Sequence, residues 1–317
     1  MNASLGAPIR AADTKTRLVV VFNPTAGNRR RRRLEAFLAA LAAGGAEPRL
    51  LETTAPGDAR AYALAAREEG CAALVVAGGD GTINEAVDGL TQPLPGAAPV
   101  TLGILPLGTA NVLARELGIP RDPLAAAAVV LAGSRRIATL GEANGRAFAL
   151  MAGVGFDAAV VAQLDPQLKR RIRQGAYVWE TVRQAFRFRF PRYEVVVGAE
   201  RYAARSVIAC KASHYGGPFV IAPQASPERP RLTLVLFQRA GPLAVLRFGF
   251  DLLLGRIARS RGVRLVECEA AEVRHAPRQG AQGPEPVQGD GDVIARLPLR
   301  LSIRPTPLAI LAPPIRG

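Results

Sequence analysis

Along its first half the chain repeats one pattern. A short continuous apolar run leads into a Gly- or Pro-bearing turn, then into a stretch with apolar residues every three to four positions. Leu18 to Phe22 runs into Asn23-Pro24-Thr25-Ala26-Gly27 and then into 29–43; Ala73 to Ala77 runs into Gly78-Gly79-Asp80-Gly81 and then into 82–90. A third copy passes from Thr101–Leu105 through Pro106-Leu107-Gly108-Thr109 to 111–117, closed by Gly118 and Pro120. Strands without polar alternation need cover on both faces, so this half predicts an α/β domain with a mostly parallel sheet. Ligands of such sheets sit beyond the strand C-termini, where these turns lie.

After about Ile137 the pattern changes. Strand-length segments at 147–152, 193–197, 206–211, 232–237, 263–275 and 299–303 follow one another, and several alternate apolar with polar residues, as in Val263-Arg264-Leu265-Val266-Glu267-Cys268. That predicts a β-rich, antiparallel, sandwich-like domain with one solvated face. Helical segments interrupt it at roughly 160–188 and 241–257, and the Pro-, Gly- and acid-rich stretch 277–292 reads as a hairpin or loop. The expected division is 1–138 and 139–303, with the tail 304–317 available to pack back on the first domain. At 317 residues the chain is long enough for two cores of ordinary size.

Composition removes several classes. With 49% hydrophobic and 21% charged residues the chain is neither disordered nor fibrous. Its three cysteines, Cys71, Cys210 and Cys268, are too few and too scattered for a disulfide framework or a CxxC site, which points to a reducing, cytoplasmic setting. Residues 1–17 lack the apolar core of a secretory signal, and the apolar stretch Leu243–Leu254 is too short to span a bilayer. His214 and His275 are isolated, so both read as structural.

Glycine-rich turns that feed helix N-termini bring backbone N–H groups and the positive end of the helix dipole to phosphate. Three in one domain point to a nucleotide, although neither GxxxxGK[ST] nor GxGxxG occurs. Gly78-Gly79-Asp80-Gly81-Thr82-Ile83-Asn84-Glu85 is the most specific string. With it stand, in order, Asn23-Pro24-Thr25-Ala26-Gly27, Thr53-Thr54 ahead of Gly57, Leu105-Pro106-Leu107-Gly108-Thr109-Ala110-Asn111, and Gly153-Val154-Gly155-Phe156-Asp157. In these residues the chain resembles the catalytic domain of the diacylglycerol kinase family of lipid kinases, from about residue 17 to 312.

The resemblance implies an ATP-binding α/β domain, a β-rich domain for the lipid and an active site in the cleft between them. Carried over, Asn23, Pro24, Thr25, Ala26 and Gly27 surround the nucleotide together with Gly78, Gly79, Asp80, Gly81, Thr82, Asn84 and Glu85; Thr54, Gly108 and Thr109 add contacts. Asp80 acts with the Mg²⁺ that accompanies ATP, directly or through water, against the plain reading of an Asx-type turn residue. The family's base is the Glu of an Asp-Gly-Glu motif. Here Asp290-Gly291-Asp292 stands in that place, which gives the base role to Asp292, one methylene shorter, against the plain reading of a hairpin turn. Many bacterial members also hold a structural Mg²⁺ in an Asp-Gly-Leu-like loop. This chain has Arg229 where the ligating Asp belongs, so that site is expected to be absent.

Charge then places the partner. Of the net +15, the first 140 residues hold 15 basic against 12 acidic side chains, and the remainder 26 against 14. Two segments of the second half account for its excess: 169–192, with Lys169, Arg170, Arg171, Arg173, Arg183, Arg187, Arg189 and Arg192 against Glu180, and 239–264, with six arginines against Asp251. Aromatic and leucine residues interleave with them. Such segments suit the anionic inner face of a membrane, to which the protein would bind peripherally, or else fill a core beneath an arginine-covered face. The arginine run 29–33, beside the first turn, reads as a solvated face in preference to a direct contact with triphosphate. The expected activity is transfer of the γ-phosphoryl of Mg-ATP to a lipid hydroxyl on diacylglycerol, ceramide or a sphingoid base. The rivals are an NAD-kinase-like enzyme and a non-catalytic basic lipid- or nucleic-acid-binding protein. No motif for specific nucleic-acid recognition is present, and the sequence does not set the oligomeric state.

Overall fold

A computed structural model describes residues 18–24, 28–163, 174–277 and 285–315. The chain divides into two compact units, one built from residues up to Ala138 and from Thr306 onward, the other from Thr139–Pro305.

In the first unit the strands are Leu18–Phe22 (β1), Arg49–Glu52 (β2), Ala73–Gly78 (β3), Thr101–Pro106 (β4) and Arg135–Ala138 (β5). β1, β3 and β4 are buried at every position, as their unbroken apolar runs require. The helices are Asn28–Ala43 (α1), Asp58–Glu68 (α2), Asp80–Thr91 (α3), Val112–Glu116 (α4) and Pro123–Ala132 (α5). α5 shows why these residues form a helix: Asp122 caps it by accepting from Ala125 N at 2.9 Å, Pro follows at the first position, and Gly133, at φ 66°, closes it. α1 packs with α5 and α2 with α3. Leu34, Phe37 and Leu41 of α1 meet Val20, Phe22 and Val75 of the sheet in one core.

The second unit carries two six-stranded sheets whose pairings are all antiparallel. Gly141–Ala143 (β6), Arg146–Phe148 (β7), Met151–Val154 (β8), Tyr193–Val197 (β9), Glu200–Ala204 (β10) and Ser206–Cys210 (β11) come first. His214–Tyr215 (β12) and Phe219–Val220 (β13) form a small hairpin. Leu232–Phe237 (β14), Val263–Cys268 (β15), Ala270–His275 (β16), Pro286–Gly289 (β17), Asp292–Arg296 (β18) and Leu299–Ile303 (β19) follow. The sheet orders are β10-β9-β16-β19-β6-β7 and β15-β14-β11-β8-β17-β18. Phe148, Tyr193, Val195, Leu234, Leu236, Val287, Leu299 and Leu301 share the core. The expected α/β and antiparallel sandwich-like classes are thus both present.

Two segments read as single strands are each two. Val263–His275 breaks at the exposed Glu269, where the chain leaves one sheet for the other, and 147–152 breaks between β7 and β8 in the same way. A corner of a sandwich leaves apolar alternation almost unbroken, so periodicity does not reveal it. The helical stretch expected near 160–188 holds Phe156–Gln163 (α6) and Gln174–Arg187 (α7), and the later one is Pro242–Leu253 (α8). No helix among the described residues is long and apolar enough to cross a membrane. Finally Leu308–Leu311 (β20) returns to the first unit, between β4, to which it is parallel, and β5, to which it is antiparallel.

Candidate active site

The first unit brings Asn23, after β1, together with the glycine-bearing turns at the C-terminal ends of β3 and β4. Asn23 N donates to Ala77 O at 3.1 Å and Leu107 N to Gly78 O at 2.9 Å, while Asn23 Nδ2 reaches Thr82 Oγ1 at 2.9 Å. The turns meet so closely that a Cβ on Gly108 would lie 2.6 Å from Gly79 Cα and 2.6 Å from Asn111 Oδ1. Only glycine fits there. Asn111, at φ 47°, braces the turn by accepting from Gly108 N at 3.0 Å and donating to Gly108 O at 2.7 Å. Gly81, in the first turn of α3, faces open space. Thr25, Ala26 and Gly27 lie outside the described residues.

Asp80 opens α3, and its carboxylate accepts from Val112 N at 2.7 Å and Asn111 N at 2.8 Å. It therefore caps the start of α4 and ties the second turn to the third. Burial pushes this carboxyl above its ordinary range, against the pull of the two amides and of nearby Arg121. Thr54 bonds within its own loop: its hydroxyl and N–H both donate to Asp58 Oδ2, at 2.9 and 2.7 Å, and these bonds with that from Ala55 N hold Asp58 below the usual carboxylate range. Thr109 is exposed, and its carbonyl accepts from Arg121 Nη2 at 2.6 Å. Asn84 and Glu85 are half-buried on α3.

The arginine run is not uniformly solvated. Arg31 pairs with both oxygens of Glu52 at 2.9 and 3.0 Å and lies over the Phe22 ring. Arg33 donates to Pro106 O at 3.1 Å and to Arg121 O, fastening the end of β4. Arg33 and Arg121 escaped the sequence reading, the first hidden in a charge run, the second in no motif.

In the second unit Asp290 and Gly291, both at positive φ (51° and 92°), form the two-residue turn between β17 and β18. Asp292, the first residue of β18, is exposed. The turn is fixed from two sides. Asp290 accepts from the amides of Ala149, Leu150 and Met151 at 2.6, 2.9 and 2.8 Å. Gln288 Oε1 accepts from Gly291 N at 3.0 Å, while its Nε2 donates to Asp157 Oδ2 at 2.6 Å. Asp157 also accepts from the Tyr215 hydroxyl, and burial raises its carboxyl above the ordinary value. Gln288 and Tyr215 carried no motif. Among the described residues, no three His, Cys, Asp or Glu side chains gather as a protein-built metal site would need.

The diacylglycerol kinase catalytic domain model matches residues 17–143, and the YegS C-terminal NAD kinase beta sandwich-like domain model matches 151–312. A "Probable lipid kinase YegS-like" of Pseudomonas aeruginosa is 32% identical over 314 residues, 93% of this chain and 94% of the relative. A "Diacylglycerol kinase" of Bacillus subtilis is 31% identical over 240 residues, covering 74% of this chain and 78% of the relative. The crystal structure of a diacylglycerol kinase from Bacillus anthracis aligns with a TM-score of 0.75 at 21% identity, over 94% of this chain and 97% of that one, a likeness of fold. With both halves matched in order along nearly its whole length, this chain belongs to the diacylglycerol kinase family of lipid kinases and is a kinase.

Proposed function

We propose that this enzyme transfers the γ-phosphoryl group of Mg-ATP to the hydroxyl of a membrane lipid such as diacylglycerol, ceramide or a sphingoid base. The observation that carries this reading is the meeting of Gly79 and Gly108 beside the N-terminus of α3. A surface without side chains, next to the first-turn amides of α3, suits a triphosphate. Asp80 would act with the Mg²⁺ that accompanies ATP, directly or through water, and the ion would supply charge neutralisation during transfer. The residues proposed to hold the nucleotide are Asn23 to Gly27, Gly78 to Thr82, Asn84, Glu85, Gly108 and Thr109. Arg121, which already grips the Thr109 carbonyl, joins them. Thr54 supports its loop through Asp58.

Asp292 is the proposed base. Its carboxylate takes the proton of the lipid hydroxyl as that oxygen bonds to the γ-phosphorus and the bridging oxygen leaves with ADP. The Asp290–Gly291 turn positions it.

The lipid is met at a membrane surface, through α7 and α8. Leu243, Leu246, Phe250 and Leu253 recur at helical spacing and are all exposed, Leu243 by 83%; Trp179, Val182 and Phe186 do the same on the neighbouring α7, Phe186 by 76%. Phe188 and Phe190 instead pack with Phe156. Exposed arginines at 187, 189, 247 and 256 accompany the apolar faces, a combination suited to an anionic bilayer in the cytoplasm. The part of the basic segment at 169–173 lies outside the described residues.

The test is incubation of the full chain with labelled Mg-ATP and a panel of diacylglycerol, ceramide, sphingoid base and NAD. Label on a lipid is expected; label only on NAD overturns the lipid assignment, and no label on any acceptor overturns catalysis.

A further inference from the structure

Where the resemblance places a structural Mg²⁺, in the loop from Ser226 to Arg231, a lysine fills the space. Lys211 follows β11 and has 0% exposure. Its Nζ donates to Thr139 Oγ1 at 2.8 Å, to the carbonyls of Ser226 and Arg231 at 3.4 and 3.3 Å, and to the carbonyl of Arg229. These four partners are neutral oxygens, the donor type that serves a hard cation. A buried ammonium with no carboxylate among these partners is costly unless dipoles replace its water, and three carbonyls and a hydroxyl do so here. The side chain of Arg229 turns elsewhere, to Glu267 Oε1 and Gln224 O, each at 3.0 Å, and only its carbonyl faces Nζ. Thr139 closes the arrangement: its N–H donates to Pro227 O at 2.8 Å, so the strut that receives the ammonium also holds the loop. Burial, with Arg229 adding to it, pushes Lys211 down to about 8, which leaves the group charged at neutral pH.

The residues present therefore do not fit a metal. Mg²⁺ needs close oxygens on all sides, at about 2.0–2.1 Å, and the volume these carbonyls enclose is taken by Nζ. We propose that the Lys211 ammonium is a covalently attached replacement for the structural cation, organising the 226–231 loop so that this chain neither needs nor binds a metal there.

The experiment is amide hydrogen exchange and thermal unfolding of the full chain, free of nucleotide, with EDTA or with millimolar Mg²⁺. Exchange in 226–231 should be the same in both; protection there that disappears with EDTA and returns with Mg²⁺ overturns the proposal. Lys211→Met should lower Tm by about 5 °C or more and speed exchange in the loop at least tenfold, whereas wild-type Tm and loop exchange in this variant overturn it. Should Lys211→Met fail to fold, Thr139→Val decides. Exchange in 226–231 should quicken several-fold with the rest of the second unit unchanged, and unaltered loop exchange counts against the ammonium's role.

Discussion

In the first unit the candidate site is made of main chain: glycines that touch, an asparagine that braces a turn, helix amides that Asp80 ties together. In the second it is made of side chains that reach far along the sequence, Asp157 to Gln288 and Asp290 to the amides at 149–151. The first kind of site tolerates no added atom where Gly79 meets Gly108. The second hangs a single carboxylate, Asp292, on a turn whose position is set by others. A lesion in the first should show as lost nucleotide binding, one in the second as lost turnover.

The largest expected effect is that of Asp292→Asn, a fall in kcat of about 10²–10⁴-fold with ATP binding intact; unchanged turnover by steady-state assay removes Asp292 as base. Gly108→Ala has the largest effect expected on nucleotide binding. Its methyl would press on the backbone of Gly79, so the KM for ATP should rise by about tenfold or more, as if roughly 1.4 kcal/mol of binding were lost; an unchanged KM would mean that the turns part without cost. Asp290→Ala removes three charge-assisted bonds and should cost about 2–4 kcal/mol of stability, with kcat falling more than the KM for ATP. If the KM for ATP moved instead, the division between the two kinds of site would be wrong. Smaller still, Leu246→Glu with Leu253→Glu should weaken sedimentation with anionic vesicles about tenfold while leaving turnover on a short, water-soluble acceptor unaltered.

The smallest effect belongs to Thr54→Val. Its hydroxyl serves Asp58, so ATP kinetics should change less than about twofold. Because Asp58 is held below its ordinary value, the bonds from Thr54 and Ala55 contribute stability above the usual carboxylate range, lost as pH falls through the lower folded value. The acid unfolding midpoint of Thr54→Val should accordingly move up.

The same contrast explains what could be read from residues alone. Turns made of main chain need particular residues at adjacent positions, so Gly78 to Thr82 and Leu107 to Asn111 are local strings, and the buried strands before them are continuous apolar runs. Gln288 and Asp157 stand 131 positions apart, and nothing in either neighbourhood names the other. Apolar periodicity also failed on α8. A face of Leu243, Leu246, Phe250 and Leu253 reads alike whether it meets a core or is left uncovered, and only the fold shows that it is exposed. The arginine run is uninformative in another way, because a row of like charges conceals that Arg31 and Arg33 have different partners.

β20 has one more consequence. Between β5 and β20 the chain makes the whole second unit, yet β20 is an interior strand of the first unit's sheet. During synthesis the first unit must therefore wait with the edge of β4 open while everything up to Pro305 leaves the ribosome, and an open parallel edge is a site for pairing with other chains. Proteolytic trimming or a premature stop shortly after Pro305 would leave the second unit's strands intact and strike the unit that carries the glycine turns.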